Sequence, residues 1–296
     1  MATMDAIDEL SAATIARIWP LQNPAAQADK EVRGRVLIVA GSAEIPGAAI
    51  LAAEGALRAG AGKLTIATGA GIAKDIALAV PESRVIALPE TQSGALAQEG
   101  AALLAPLAQQ VDCLLAGPGL AGHDVDFVKK LLPFFASSAV ILDAAAMNAA
   151  LGQNFSQPVL LTPHAGEMAH LSGDSKEEVT ASPMQSASRG AQRWNAIVAL
   201  KGAETWLATP DGALQCHRGG NAGLAMSGSG DVLAGLIAGF AARGLPLAQA
   251  AGWGVVVHAC AGNLLSAEVG STGYLARELL PEIPKLIDRI RLGLQR

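Results

Sequence analysis

Aromatic side chains are scarce in this 296-residue chain, where Phe, Trp and Tyr together make up 3% of the sequence. Ala, Leu, Ile and Val must therefore fill the core, which suits packed α/β layers better than an aromatic-rich β-sandwich. Charge is also sparse: 16% of residues carry one, the net charge is −5, and no block of Lys or Arg occurs. That leaves no electrostatic footprint for a nucleic acid. The three cysteines, Cys113, Cys216 and Cys260, are odd in number, widely spaced and form no CxxC. Buried free thiols in a reducing compartment are expected of them. The N-terminus reads Met4-Asp5-Ala6-Ile7-Asp8, without the basic and then apolar regions of a signal peptide. No apolar run reaches the length of a membrane span uninterrupted. The expectation is a soluble, cytoplasmic protein with neither a nucleic-acid nor a membrane partner.

What the chain has in quantity is glycine, 33 residues of it, and short apolar runs. After a mixed N-terminal arm over residues 1–34, Arg35–Ala40 reads as a buried strand and Pro46–Arg58 as a helix stopped by Gly60-Ala61-Gly62. Further strands are expected at Lys63–Thr68, Arg84–Leu88, Val111–Ala116, Ala139–Leu142, Pro158–Leu161 and Ala196–Leu200, with helices between most of them. Such alternation implies a mostly parallel sheet covered by helices on both faces. Thr205–His217 reads as a hairpin turning at Pro210-Asp211-Gly212, and the chain beyond Asp231 as almost wholly helical, through Leu247–Glu268 and Tyr274–Leu294. No linker or internal repeat breaks the pattern, so residues 1–296 are expected to form one domain.

The stretch from Gly219 to Gly244 organises the rest. Gly228-Ser229-Gly230-Asp231 runs into an apolar helix whose Val232, Leu233, Leu236, Ile237 and Phe240 follow helical spacing, while Gly235 and Gly239 allow a close neighbour. The free N–H groups of the helix's first turn, beside residues with almost no side chain, make an anion hole. A carboxylate next to that hole repels the anion, so Asp231 needs a role. It is either a helix N-cap or a general base beside a migrating phosphoryl group.

Ligands of open parallel sheets bind beyond the strands' C-terminal ends, and five motifs fall there: Gly41-Ser42, Gly117-Pro118-Gly119, Asp143, Thr162-Pro163-His164 and Lys201-Gly202. Gly117–Gly122 formally matches a dinucleotide fingerprint, but its strand is the fourth and Pro118 stiffens the turn, so it reads better as a backbone wall. Gly41–Ala49 lacks the Lys-Ser/Thr of a Walker loop and offers a small-residue floor on which a flat ring could lie near Ala48. His164 stands at a strand end, with Glu167 in the first turn of the next helix. With no second His or Cys at ligand spacing, no zinc site is expected and no metal ligands are assigned. Lys201 and Gly202 suit nucleotide phosphates, and Asn221 is placed to brace the central loop.

Together these stretches resemble the NAD(P)H-hydrate dehydratase family, on the ribokinase-like fold. The carriers are Gly34–Ser42 with Gly47-Ala48-Ala49, Leu57–Gly62, Gly117–Gly119, Thr162-Pro-His-Ala-Gly-Glu167, Lys201-Gly-Ala-Glu-Thr205 and Gly220–Asp231. The resemblance as a whole covers the chain from about Arg33 to Ile287. Gly-Ser-Gly-Asp before an apolar helix is shared by many small-molecule kinases; its combination with Thr-Pro-His-x-Gly-Glu is far more selective. The resemblance implies a three-layer sandwich and a repair enzyme that returns the S-form of NADH hydrate and NADPH hydrate to NADH and NADPH. ADP, or ATP in other relatives, with Mg²⁺ would phosphorylate the ring hydroxyl before elimination. The absence of an extra N-terminal epimerase domain favours ADP.

Carried over by resemblance, Ala48, Gly119, His164 and Asp231 face the hydrate. Lys201, Gly202, Ala203, Glu204, Thr205 and Gly230 contact the nucleotide, and Gly228 and Gly230 serve Asp231 in catalysis. A homotetramer and functional pairing with a separate epimerase are implied in the same way. Two positions depart from the family pattern. Asp143-Ala-Ala-Ala-Met-Asn148 stands for Asp-Ala-Asp-Ala-Leu-Asn, so Ala145 lacks a carboxylate, and Ala121 stands where glycine is common. The rival readings are a ribokinase-like kinase of a hydroxyalkyl thiazole or pyrimidine vitamin precursor, and a non-catalytic nucleotide sensor, which would need the hole but not Asp231.

Overall fold

The computed structural model describes residues 8–22 and 30–294; parts of the expected arm, 1–7 and 23–29, lie outside these, as do 295–296. The described arm contains a two-residue strand, β1 (Asp8–Glu9), and one helical turn, α1 (Ile15–Ile18). Then come β2 (Arg35–Val39), α2 (Pro46–Arg58), β3 (Lys63–Gly69), α3 (Ala73–Ala79) and β4 (Arg84–Leu88). β5 (Cys113–Ala116), α4 (Val125–Leu131), β6 (Ala139–Leu142) and β7 (Val159–Leu161) continue the alternation. Three helices, α5 (Ala165–Ser172), α6 (Lys176–Ala181) and α7 (Pro183–Trp194), precede β8 (Ile197–Leu200). The hairpin β9 (Thr205–Ala208) and β10 (Leu214–His217) leads to α8 (Ser229–Ala242), α9 (Leu247–Glu268) and α10 (Ala276–Arg291).

The strands form one sheet in the order β1-β10-β9-β8-β7-β6-β5-β2-β3-β4. Every pairing is parallel except the two made by β9. β5 and β6 are buried along nearly their whole length because helices cover both faces. One covering layer packs α2, α8, α9 and α10 around Ala52, Leu236, Trp253 and Ile283; the other packs α4 to α7 around Phe127, Met168 and Trp194. The expected mostly parallel, three-layer sandwich is what the chain builds.

Small residues set how closely the first layer closes. A Cβ on Gly235 would lie 2.1 Å from the Ala52 carbonyl oxygen, and one on Gly239 2.4 Å from that of Ala56. The helix backbones of α2 and α8 are thus in direct contact, as the spacing of those glycines suggested. α9 is, by length and a mean hydropathy of 1.2, apolar enough to cross a membrane, which the sequence reading did not anticipate; 72% of its most apolar window is buried inside the protein. It is a core helix.

β1 was not expected. Its charged Asp8-Glu9 has no strand propensity; it runs parallel to β10, Leu10 N donates to Cys216 O at 2.8 Å, and Thr14 Oγ1 donates to Glu9 O at 2.7 Å. Buried Leu10 and Ile15 then anchor the segment on the core. Cys113 and Cys216 are buried and Cys260 half-buried, all three free thiols.

Strand order reverses between β5 and β2, so the loops after them diverge to opposite sides and open a crevice at their C-terminal ends. Gly41 N donates to Pro118 O at 2.8 Å, tying the two loops together. α8 packs over β2, β5 and β6 and brings its N-terminus to this edge.

Candidate active site

The N-cap of α8 is Gly228, in the left-handed region at φ +87°, where a Cβ would also meet Leu51 Cδ1 at 2.5 Å. Only glycine satisfies both demands. No side chain caps the helix. Among the described residues the N–H groups of Gly230 and Asp231 have no acceptor, whereas Val232 N already bonds Gly228 O. The first turn therefore presents bare donors, the requirement for an anion site.

Asp231, in the first turn, is not the cap that its residue type permits. It is half-buried, and burial together with the charge of Asp143 pushes its carboxyl up to about 6, against the pull of Lys201. Lys201 Nζ lies 3.3 Å from Asp143 Oδ1. Buried Thr162 donates its hydroxyl to the same oxygen at 2.5 Å. Burial alone drives the Lys201 pKa down, but Asp143, Glu167 and Asp231 outweigh it and hold the ammonium above its ordinary value. The lysine is thus a fixed cation. It stands beside the α8 N-terminus, 3.6 Å from where a Gly230 Cβ would lie.

A cleft of about 850 Å³ opens from that point. His164, Lys201, Gly202, Ala203 and Thr205 line it on one side, and Ser229 and Gly230 at the α8 N-terminus. Leu224, Leu233, Val255 and Ala259 form an apolar stretch. Lys201 is positioned by an extension of the sheet: Lys201 N donates to Pro163 O at 2.8 Å, and His164 bridges to Lys201 in parallel register. Asn221 braces the facing loop, accepting from Gly223 N and the Tyr274 hydroxyl and donating to Asn263 Oδ1.

Four of the five residues from Lys201 to Thr205 line the cleft with Gly230. Glu204 is not among them; it pairs with Arg218 at 2.8 Å. Ala48 and Gly119 come together outside the cleft, in the switch-point crevice, where a Gly119 Cβ would lie 2.8 Å from Ala48 Cβ. Asp231 is not a cleft-lining residue. Its carboxylate is close enough to Asp143, at the β6 end, and to Lys201 to feel both charges.

His164 stands on the cleft rim rather than beside Ala48 and Gly119. It is the N-cap of α5: Nδ1 accepts from Gly166 N at 3.0 Å and Glu167 N at 3.2 Å, while Glu167 accepts from His164 N at 2.8 Å. Nε2 is left toward solvent, 3.6 Å from Glu167 Oε2. Two further histidines, His217 and His258, line the cleft unforeseen by the sequence. A single polar residue in an apolar helix or strand carries no signal of what it will meet.

No group of three or more His, Cys, Asp or Glu side chains is placed to hold a metal ion among the described residues. One Asp143 oxygen is already engaged by Lys201 and Thr162. The described residues thus form no cage of their own for a divalent ion.

A crevice at the strand-order reversal, a helix N-terminus with free donors and a carboxylate between them define a ribokinase-like protein. The model of the NAD(P)H-hydrate dehydratase family matches residues 36–285, and the chain belongs to that family. It is 49% identical over 279 residues to the ADP-dependent (S)-NAD(P)H-hydrate dehydratase of Xanthomonas campestris pv. campestris, covering 94% of this chain and 95% of that one. The bifunctional NAD(P)H-hydrate repair enzyme of Moorella thermoacetica is 39% identical over 90% of this chain, which spans 51% of its length. Among solved structures, the ADP/ATP-dependent NAD(P)H-hydrate dehydratase of Bacillus subtilis, co-crystallised with ATP/Mg²⁺, superposes with a TM-score of 0.83 at 28% identity, covering 97% of this chain and all of that one. These likenesses favour the dehydratase over the vitamin-precursor kinase.

Proposed function

We propose that this protein dehydrates the S-form of NADH hydrate and NADPH hydrate at the expense of ADP, giving AMP and phosphate. One observation carries the reading: a half-buried carboxylate, Asp231, lies in the first turn of α8 beside bare backbone donors and close enough to Asp143 and Lys201 to feel both charges. The cleft takes the nucleotide, with its phosphates at Ser229, Gly230 and Lys201. The crevice beside Ala48 and Gly119 takes the dihydronicotinamide ring.

Asp231 removes the proton of the ring hydroxyl as that oxygen attacks the β-phosphorus, and the bond to AMP breaks with its electrons leaving on AMP. The donors of Gly230 and Asp231, with Lys201, face the charge that builds on the migrating phosphoryl group. Phosphate then departs with the carbon–oxygen electrons, a proton leaves the neighbouring carbon, and the ring double bond returns. Hydroxide is a poor leaving group and phosphate a good one, which is why a nucleotide is consumed. Mg²⁺, held by the nucleotide's own phosphates, would neutralise their charge. Asp143, engaged by Thr162 and Lys201, keeps the lysine in place.

ADP rather than ATP follows the name of the 49% identical relative. The bifunctional repair enzyme of Moorella thermoacetica is matched over 51% of its length, and an epimerase supplying the S-form is the functional partner we infer here. Three free thiols fit a reducing cytoplasm. The test is direct: purified protein with NADH hydrate, Mg²⁺ and either ADP or ATP should restore the near-ultraviolet absorbance of the dihydronicotinamide. No recovery with either nucleotide rejects the reading.

A further inference from the structure

Three residues of α9, Val255, His258 and Ala259, turn toward the cleft at helical spacing, and only the histidine is polar. His258 is 8% exposed, and its Nε2 lies 3.1 Å from the hydroxyl of Ser229, the first residue of α8, itself 4% exposed. Burying an imidazole in an apolar helix face is costly without a partner. The partner here belongs to the turn that receives phosphate.

Burial, aided by the charges of Lys201 and His217 and opposed by a hydrogen bond to the Ser229 backbone, drives the His258 pKa down to about 4. The ring is therefore neutral at ordinary pH, with one donor and one acceptor nitrogen. An accepting Nε2 would draw the Ser229 proton away from the cleft and turn oxygen lone pairs toward any anion at the α8 N-terminus. A donating Nε2 leaves the Ser229 hydroxyl proton free to turn outward, in line with the N–H groups of Gly230 and Asp231. Only the second arrangement agrees with its surroundings.

We propose that His258 is a positioning residue: it donates Nε2–H to Ser229 Oγ and so makes the Ser229 hydroxyl a donor to the phosphate of a bound nucleoside diphosphate. The proposal rests on the reading of the cleft as the nucleotide's. The serine side chain touches the ligand; the histidine acts through it.

Calorimetry with ADP tests this on the wild type, Ser229→Ala, His258→Phe, the double variant and His258→Gln, each checked for folding by circular dichroism. Ser229→Ala and His258→Phe should each weaken ADP binding about 10- to 150-fold, the scale of one hydrogen bond to a charged group. The double variant should be no more than about twofold weaker than either, because both remove the same bond. His258→Gln, which can place a donor where Nε2 stands, should recover affinity to within about threefold of wild type. A histidine that only fills space would give multiplying losses and no rescue by glutamine, and either result overturns the proposal. So does unchanged affinity in Ser229→Ala, or no ADP binding by the wild type. Should His258→Phe not fold, His258→Asn, too short to reach Ser229, replaces it. Repair of NADH hydrate is followed alongside. Coupled ADP affinities without any repair would keep the Ser229–His258 pair and reject the dehydratase reading.

Discussion

A side chain added at Gly230 would find nothing nearer than Lys201 Nζ at 3.6 Å, whereas one at Gly117 would lie 1.9 Å from the Asp143 carbonyl oxygen and one at Gly119 2.6 Å from that of Ile45. All three glycines lie at the same edge of the sheet. At the α8 N-terminus the missing side chain leaves room that a ligand can enter. In the crevice the room is already filled by neighbouring backbone, and what remains is a tight floor. Glycine in a motif thus reports close approach but not what approaches. The two regions meet at the cluster of Asp143, Lys201 and Asp231, where a cation is held between two carboxylates. Chemistry on this fold belongs at that junction.

The largest effect should come from the junction itself. Asp231→Asn keeps the shape and removes the base, so turnover should fall by about two to four orders of magnitude with ADP affinity little changed. If the asparagine variant keeps most of its activity, the carboxylate is not the base. The two glycine regions should then separate cleanly. Gly230→Val puts a branched side chain where phosphate sits, and should abolish measurable ADP binding while circular dichroism reports a retained fold. Gly117→Ala meets both a φ of +135° and the Asp143 carbonyl. It should cost about 3 kcal/mol of stability, read from the urea midpoint. A Gly230 variant that unfolds, or a Gly117 variant as stable as wild type, would erase the distinction.

Much of this frame was legible because local patterns decide it. The β4 and β6 boundaries, the α2 start at Pro46 and the α8 helix follow from short apolar runs, a proline at the first turn and helical spacing. The clustering of motifs at one sheet edge followed from strand polarity alone. What escaped depended on long-range meetings. Asp143 and Lys201 are 58 residues apart, and Ser229 and His258 are 29. β1 escaped because its pairing uses backbone groups and so leaves no side-chain pattern. Glu204, in the bend just before β9, lies inside a motif that lines the cleft yet turns to Arg218, a meeting the sequence does not signal.

The acidity of Asp231 adds a prediction whose sign separates function from stability. A base with a pKa of about 6 is protonated below it. kcat/KM should therefore fall about tenfold per pH unit below that value and level off above it. Stability runs the other way. Between the ordinary value of 3.8 and about 6 the folded protein binds this proton and the unfolded chain does not, so stability present at the lower pH is lost as pH rises. Asp231→Asn should then stabilise the inactive protein by about 3 kcal/mol above pH 6 and by little near pH 4. An acid limb unmoved from the ordinary carboxylate range would show that Asp231 is more solvated than its position implies.

The smallest effect concerns His164, whose two ring nitrogens have different tasks. Nδ1 caps α5 through Gly166 N and Glu167 N, while Nε2 is left toward the cleft rim. His164→Ala should lose about 1 kcal/mol of stability with the cap. His164→Asn should keep most of the cap and lose only Nε2. Affinities of the asparagine variant for NADH hydrate and for ADP, measured separately by calorimetry, then show which ligand the rim touches. Because the structure sets His164 beside Lys201 rather than beside Ala48 and Gly119, the hydrate can use Nε2 only if its ribose or pyrophosphate extends from the crevice along the rim. A loss of about threefold to tenfold for the hydrate with ADP unchanged is the expected result, the scale of one exposed hydrogen bond. Equal affinity for both ligands in the asparagine variant would leave His164 as the α5 cap alone, and would confine hydrate recognition to the packed crevice.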